Sequence, residues 1–107
     1  MIERLPRLNG KVAIITGAGS IGRGVGNGKA TAVLFAREGA KVLLVDIVLA
    51  AAEETLSLIE EEGGVASTFQ ANVSHAKECE QMVEICIERY GRVDILVNNV
   101  GISSKAD

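Results

Sequence analysis

The sequence predicts an α/β protein built on a doubly wound parallel sheet, with about four strands and three helices in the order βαβαβαβ. Three observations carry this reading. The first is a continuous apolar run, Val12-Ala13-Ile14-Ile15, as expected of a parallel strand buried on both faces. The second is the glycine-rich turn that follows it, with Gly17, Gly19, Gly22, Gly24, Gly26 and Gly28 inside twelve positions. The third is the regular alternation, from there onward, of short apolar runs with stretches of helical spacing.

Residues 1–10 form a lead-in to the first strand. After the glycine turn the pattern becomes helical from Lys29, with Ala30, Val33 and Leu34 at i, i+3 and i+4. Ala32, Phe35 and Ala36 make this stretch apolar nearly all round, which predicts a buried helix. The second strand is Lys41-Val42-Leu43-Leu44-Val45, closed by Asp46. A second helix follows, with Leu49, Ala52, Leu56 and Ile59 on one face and Glu53, Glu54, Glu60 and Glu61 on the other. The glutamates read as a solvated face, and Gly63-Gly64 stops the helix.

A third strand over residues 65–71 carries Ser67, Thr68 and Gln70, which suits a sheet edge, and Asn72-Val73 ends it. Ser74 is the expected N-cap of a third helix with an apolar stripe of Cys79, Met82, Val83, Cys86 and Tyr90. Gly91 stops that helix. The fourth strand is residues 93–97, and Asn98-Asn99-Val100-Gly101 turns the chain at its C-terminal end.

Polar or flexible residues therefore gather at one place. The glycine turn, Asp46, Asn72 and Asn98-Asn99 all follow strand ends, and open parallel sheets bind ligands beyond their C-terminal edge. A glycine turn opening a helix is a phosphate site, because unpaired N–H groups and the helix dipole both favour an anion. An acidic residue about 20 positions later can accept hydrogen bonds from a ribose 2′-hydroxyl. Gly28 lies 18 positions before Asp46, and Gly22 lies 24 before it. The shorter spacing fits one helix, a turn and a strand, so Gly28 is read as opening the helix and residues 21–25 as extra loop.

Composition narrows the classes. The chain has 107 residues, enough for one small domain, and 48% of them are hydrophobic, too many for a disordered chain. Net charge is −3 and no basic cluster exists, which argues against nucleic acid. The first residues lack the apolar core of a signal peptide, and no apolar run approaches a membrane span. Cys79 and Cys86 lie seven apart on one helical face, too far for a disulfide and without metal-ligand company. They read as small apolar residues of a cytoplasmic protein. His75 reads as a solvated helix-start residue. A P-loop would place glycine where Arg23 stands and a hydroxyl where Ala30 stands. A methyltransferase would share the glycine turn and the acidic strand end, but not the Thr16-Gly17 start together with Asn98-Asn99-Val100-Gly101.

These motifs together resemble the short-chain dehydrogenases/reductases, a Rossmann-type family. The resemblance runs over nearly the whole chain. It rests on TGAGS ending at Ser20, GNGKA from Gly26, the strand-ending Asp46, Asn72-Val73, and DILVNNVG from Asp94 to Gly101. It implies cofactor contacts from Gly17, Ser20, Gly26, Asn27, Gly28, Asp46, Ile47, Asn72, Val73, Asn99, Val100 and Gly101, with Asp94 structural. Asp46 implies NAD rather than NADP. The family's adenine-side pair is usually Asp-Val and is Asn72-Val73 here; its NNAG is NNVG here. Arg23, in the extra loop, is either solvent-exposed or a contact to an adenosine phosphate.

The resemblance also implies what is missing. The family's catalytic serine, its Tyr-x-x-x-Lys pair and a helix-borne asparagine lie downstream of the NNAG motif, and six residues follow Gly101 here. Tyr90 lies upstream, and Lys105 has no tyrosine four positions before it. The chain is thus expected to be the truncated, cofactor-binding part of an oxidoreductase that passes hydride between nicotinamide and an alcohol or carbonyl. It is expected to show no turnover alone. The alternative class is a non-catalytic nucleotide-binding or interaction module. An unpaired fourth strand, with one helix over the second sheet face, further predicts self-association through the open edge.

Overall fold

The computed structural model describes residues 7–19 and 27–99. Its elements are β1 (Val12–Thr16), α1 (Gly28–Arg37), β2 (Lys41–Asp46), α2 (Leu49–Glu61), β3 (Val65–Gln70), α3 (Ala76–Tyr90) and β4 (Ile95–Val97). The four strands form one parallel sheet in the order β3-β2-β1-β4. The chain steps outward from β1 to β3 and then returns to the far side of β1. Right-handed crossovers therefore put α1 and α2 on one face and α3 on the other.

The two faces have separate cores. Ile15, Val42 and Leu44 pack with Ala32, Ala52 and Ile59 under α1 and α2. Val12, Ile14, Leu43 and Val45 pack with Met82 and Cys86 under α3. Both central strands are thus buried on both sides, which is why β1 and β2 read as unbroken apolar runs. One helix does not cover the second face completely: Leu96 of β4, which pairs with Ile14, is 54% exposed. β4 stands at the sheet edge, as the sequence predicts.

Four expectations need correction. α1 is not buried all round; Ala30 and Leu34 face outward, and the buried positions are Gly28 and Ala32. Small residues sit inward because the helix approaches the sheet closely at its first turns. β4 begins at Ile95 rather than at residue 93, because Asp94 spends its groups on Val12 instead. β3 ends at Gln70, one residue early.

The fourth concerns the cap of α3. His75, not Ser74, holds the N-cap position, and its side chain makes no capping bond. Ser74 turns back instead, donating from its backbone N–H and its hydroxyl to Asn72 Oδ1 at 3.0 and 2.7 Å. The Cys86 thiol is buried, which pushes its pKa up, and Cys79 is only half-buried, with Sγ 3.1 Å from the Val73 carbonyl. Gly91 ends α3 in the left-handed region at φ 84°, with its N–H on the Ile87 carbonyl.

Candidate functional site

The C-terminal edge of the sheet gathers Gly17, Asn27, Gly28, Asp46, Ile47, Asn72, Val73 and Asn99, the described residues among those that the sequence singles out. Gly17 leaves β1 with φ 61°, a conformation that glycine adopts without strain. A Cβ at Gly17 would collide with the Asn99 carbonyl oxygen. A Cβ at Gly28 would collide with the Gly17 carbonyl oxygen and come within 2.7 Å of Asn99 Nδ2. The start of the glycine turn, the start of α1 and the turn after β4 therefore meet at backbone contact distance.

Thr16 is the hub beneath them. It is 1% exposed and its hydroxyl donates toward Asn98 Oδ1 at 3.0 Å, while Thr16 Oγ1 itself accepts the Asn99 N–H at 2.8 Å. A buried hydroxyl can donate once and accept as well, so one side chain fixes both asparagines after β4. At the other end of the seam, Asp94 Oδ2 accepts the Val12 N–H at 2.9 Å and the Asp94 N–H donates to the Val12 carbonyl at 2.8 Å. The Arg92 guanidinium beside Asp94, and then the Val12 N–H, hold that carboxyl below the usual aspartate range.

α1 opens at Gly28, as its spacing from Asp46 predicts. Asn27 is its N-cap, with Oδ1 accepting the Ala30 N–H at 3.0 Å and its carbonyl accepting the Thr31 N–H at 3.1 Å. Helix geometry leaves the Gly28 and Lys29 amides without an intrahelical acceptor. Asn27 Oδ1 is thus occupied by the helix itself. Lys29 Nζ turns to α2 and pairs with Glu54 at 2.8 Å, which lowers the Glu54 pKa.

Asp46 ends β2 beside this turn. Its Oδ2 accepts the Gly19 N–H at 2.9 Å and its Oδ1 accepts the Val48 N–H at 2.9 Å. The carboxylate and the mouth of the glycine turn are therefore in direct contact. Two bonds leave a carboxylate with further acceptor sites, of which it has about four. Ile47, next in the chain, is 58% exposed, and its carbonyl accepts from Gln70 Nε2 at 3.1 Å.

Asn72 and Val73 lie one strand further out, after β3. The Asn72 N–H donates to Glu78 Oε1 at 2.6 Å, and Glu78 Oε2 lies 2.9 Å from His75 Nδ1. The Asn72 N–H, and then His75, hold the Glu78 carboxyl below its usual range. Ser20, Arg23, Gly26, Val100, Gly101 and the loop over residues 21–25 lie outside the described residues. A cavity of about 280 Å³ between the C-terminal ends of α1 and α2, lined by Arg37, Ile59 and Gly64, lies at the opposite edge of the sheet.

Residues 11–107 match the short chain dehydrogenase family model. The chain belongs to the short-chain dehydrogenase family. Members of that family bind NAD(P), and the site's geometry suits such a group: a tightly closed glycine turn bearing no side chains at Gly17, Gly19 and Gly28, two first-turn amides and a carboxylate at its mouth. The chain is 50% identical over 93 residues to an uncharacterized oxidoreductase of Thermotoga maritima, covering 87% of this chain and 34% of the relative. It is 43% identical over 103 residues to a 3-oxoacyl-acyl-carrier-protein reductase of the same organism, covering 94% and 39%. A crystal structure of a short-chain dehydrogenase/reductase from Burkholderia xenovorans superposes with a TM-score of 0.83 at 50% identity, covering 91% of this chain and 38% of that one. The chain spans about a third of the length of the curated relatives that it matches.

Spacing marks the glycines and Asp46 in the sequence, but two hydroxyls that the site depends on carry no such mark. Thr16 opens the TGAGS motif, and a polar residue closing a fully apolar run is itself a signal. Thr55 is fully buried in α2, and its hydroxyl donates to the Ala18 carbonyl at 3.0 Å. Its position, three after Ala52 and four before Ile59, puts it on the inward face.

Proposed function

We propose that this chain holds NAD at the C-terminal edge of its sheet, as the dinucleotide-binding part of an oxidoreductase acting on an alcohol or carbonyl. The observation that carries the reading is the Gly19–Asp46 contact at 2.9 Å, above a cradle closed by Gly17, Gly28 and Asn99. The diphosphate would sit against the Gly28 and Lys29 amides, where the helix dipole favours an anion. The adenosine ribose would then reach Asp46, whose remaining acceptor sites suit two hydroxyls. A 2′-phosphate there would face a carboxylate, and like charges disfavour it, hence NAD over NADP. When bound, the nicotinamide supplies or takes the hydride; this chain's residues bind and orient. Asn99 would border the nicotinamide side, because it closes the cradle opposite Asp46.

Calorimetric titration of the 107-residue chain with NADH and NADPH tests the proposal. Saturable heat with NADH and affinity at least tenfold weaker for NADPH is the expected result, a like-charge penalty on the order of 1.4 kcal/mol. No heat with either nucleotide, or a preference for NADPH, overturns it. The same preparation is expected to show no NAD-dependent alcohol oxidation above a blank, since its one tyrosine, Tyr90, has Asp94 rather than lysine four positions on.

A further inference from the structure

The strand order gives the direction in which a dinucleotide must run. If the diphosphate sits at the β1–α1 turn and the ribose at the end of β2, the base continues outward over the end of β3. Ile47 and Asn72 stand there. Ile47 offers an exposed apolar side chain beside Asp46 for a base face to rest on. Asn72 is the polar side chain at the β3 end, and what it can offer is decided by the bonds it already makes.

The orientation of that amide is fixed by chemistry. The Ser74 backbone N–H can only donate, so the Asn72 atom 3.0 Å from it is the carbonyl oxygen. The Ser74 hydroxyl donates to the same oxygen at 2.7 Å. A carbonyl oxygen has two lone pairs, and both are in use. The Asn72 backbone N–H is spent on Glu78 Oε1 at 2.6 Å. The –NH2 of the side chain bonds to no other described residue, so it is the group left for a ligand.

That group is a donor only. Both purines offer it the ring nitrogen N7 as an acceptor; at the 6-position adenine adds an amino group, also a donor, whereas hypoxanthine adds a second acceptor, a carbonyl. We infer that Asn72 makes the base subsite a reader of acceptors, so that a 6-oxopurine dinucleotide binds at least as tightly as the adenine one. Ser74 is the positioning residue: by occupying Oδ1 from two sides it takes away the acceptor that an asparagine could otherwise turn toward an amino group. This rests on the dinucleotide reading of the site given above.

The test is parallel titration of the chain with NADH and with nicotinamide hypoxanthine dinucleotide in its reduced form, for wild type, Asn72→Asp and Ser74→Ala. For wild type the expected ratio of the NADH to the hypoxanthine dissociation constant is one or above. Asn72→Asp supplies an acceptor, and the ratio is expected to fall by about tenfold toward adenine, the size of one correctly matched base contact. Ser74→Ala releases one lone pair of Oδ1 and is expected to move the ratio part of the way. Ser74 is exposed, so that variant keeps the fold if the aspartate does not. NADH binding with the same base preference in all three proteins overturns the inference and leaves the dinucleotide site standing. Failure of wild type to bind either nucleotide overturns both.

Discussion

Replacing Gly28 by alanine tests the cradle most directly. The added methyl group would meet the Gly17 carbonyl oxygen, with the Gly17 carbonyl carbon and Asn99 Nδ2 each 2.7 Å away. Two of these three atoms are backbone, so no rotamer change relieves the overlap; α1 or the glycine turn must move. Overpacking of this kind costs about 1–3 kcal/mol. Alanine recovers at most about 1 kcal/mol of helix propensity, less at the first helical position than inside. The net loss is then about 1–2 kcal/mol, or roughly 4–16 °C in Tm for a domain of this size. The control is Gly91→Ala, where nothing lies within 4 Å of the new Cβ but φ is 84°. It costs about 1–2 kcal/mol from the left-handed conformation alone. Thermal melts followed by circular dichroism should thus show similar losses for both variants. Calorimetry with NADH should separate them: Gly91→Ala keeps wild-type affinity below its melt, whereas Gly28→Ala loses it as the turn shifts. Wild-type stability and wild-type NADH affinity in Gly28→Ala would refute the packing argument.

Two further outcomes follow from single contacts. Thr55→Val keeps the shape of a fully buried side chain but removes the donor to the Ala18 carbonyl, at a cost of about 1–3 kcal/mol; a urea midpoint equal to wild type would mean that this bond contributes nothing. The Asp94 carboxyl is held low in the folded protein by Arg92 and by the Val12 N–H, so the unfolded chain takes up its proton first as pH falls. Its contribution is therefore complete above the ordinary aspartate pKa of about 3.9 and is lost as pH drops through the lower folded value. Asp94→Asn should flatten that part of the acid limb in urea midpoints taken from about pH 5 down to about pH 2.5, and an unchanged slope would contradict it.

The topology was legible because each level of pattern agreed with the next. β1 and β2 are buried on both faces, which forces unbroken apolar runs, and the distance from Gly28 to Asp46 admits only one helix and one strand. The contact between Asp46 and the glycine turn followed from the same spacing. What was not legible depends on packing between distant segments. Ala30, Val33 and Leu34 have helical spacing, but the inward face of α1 was set by how closely its first turn meets the sheet, which favours Gly28 and Ala32. Ser74 has good capping chemistry, yet Asn72 two residues earlier competes for its hydroxyl and N–H and wins. Thr16 and Thr55 are single hydroxyls whose partners lie 82 and 37 positions away along the chain, beyond the reach of any local pattern.

Those long-range bonds change the explanation of the glycines. A glycine at a phosphate-binding turn is ordinarily attributed to the ligand, since a side chain would hold the backbone away from it. Here the space beside Gly28 is already taken by the protein, by the Gly17 carbonyl and the Asn99 amide. Asn99 is there because the Thr16 hydroxyl accepts its N–H, and β4 is in register because Asp94 bonds Val12 at the opposite end of the same seam. A strand of three residues at a sheet edge has little backbone pairing of its own, so these two side chains, Thr16 and Asp94, hold it at both ends. The cradle is consequently a product of the β1–β4 seam as much as of the glycine turn. Loosening either clamp should move Asn99 and open the cradle without altering any residue that would touch a dinucleotide.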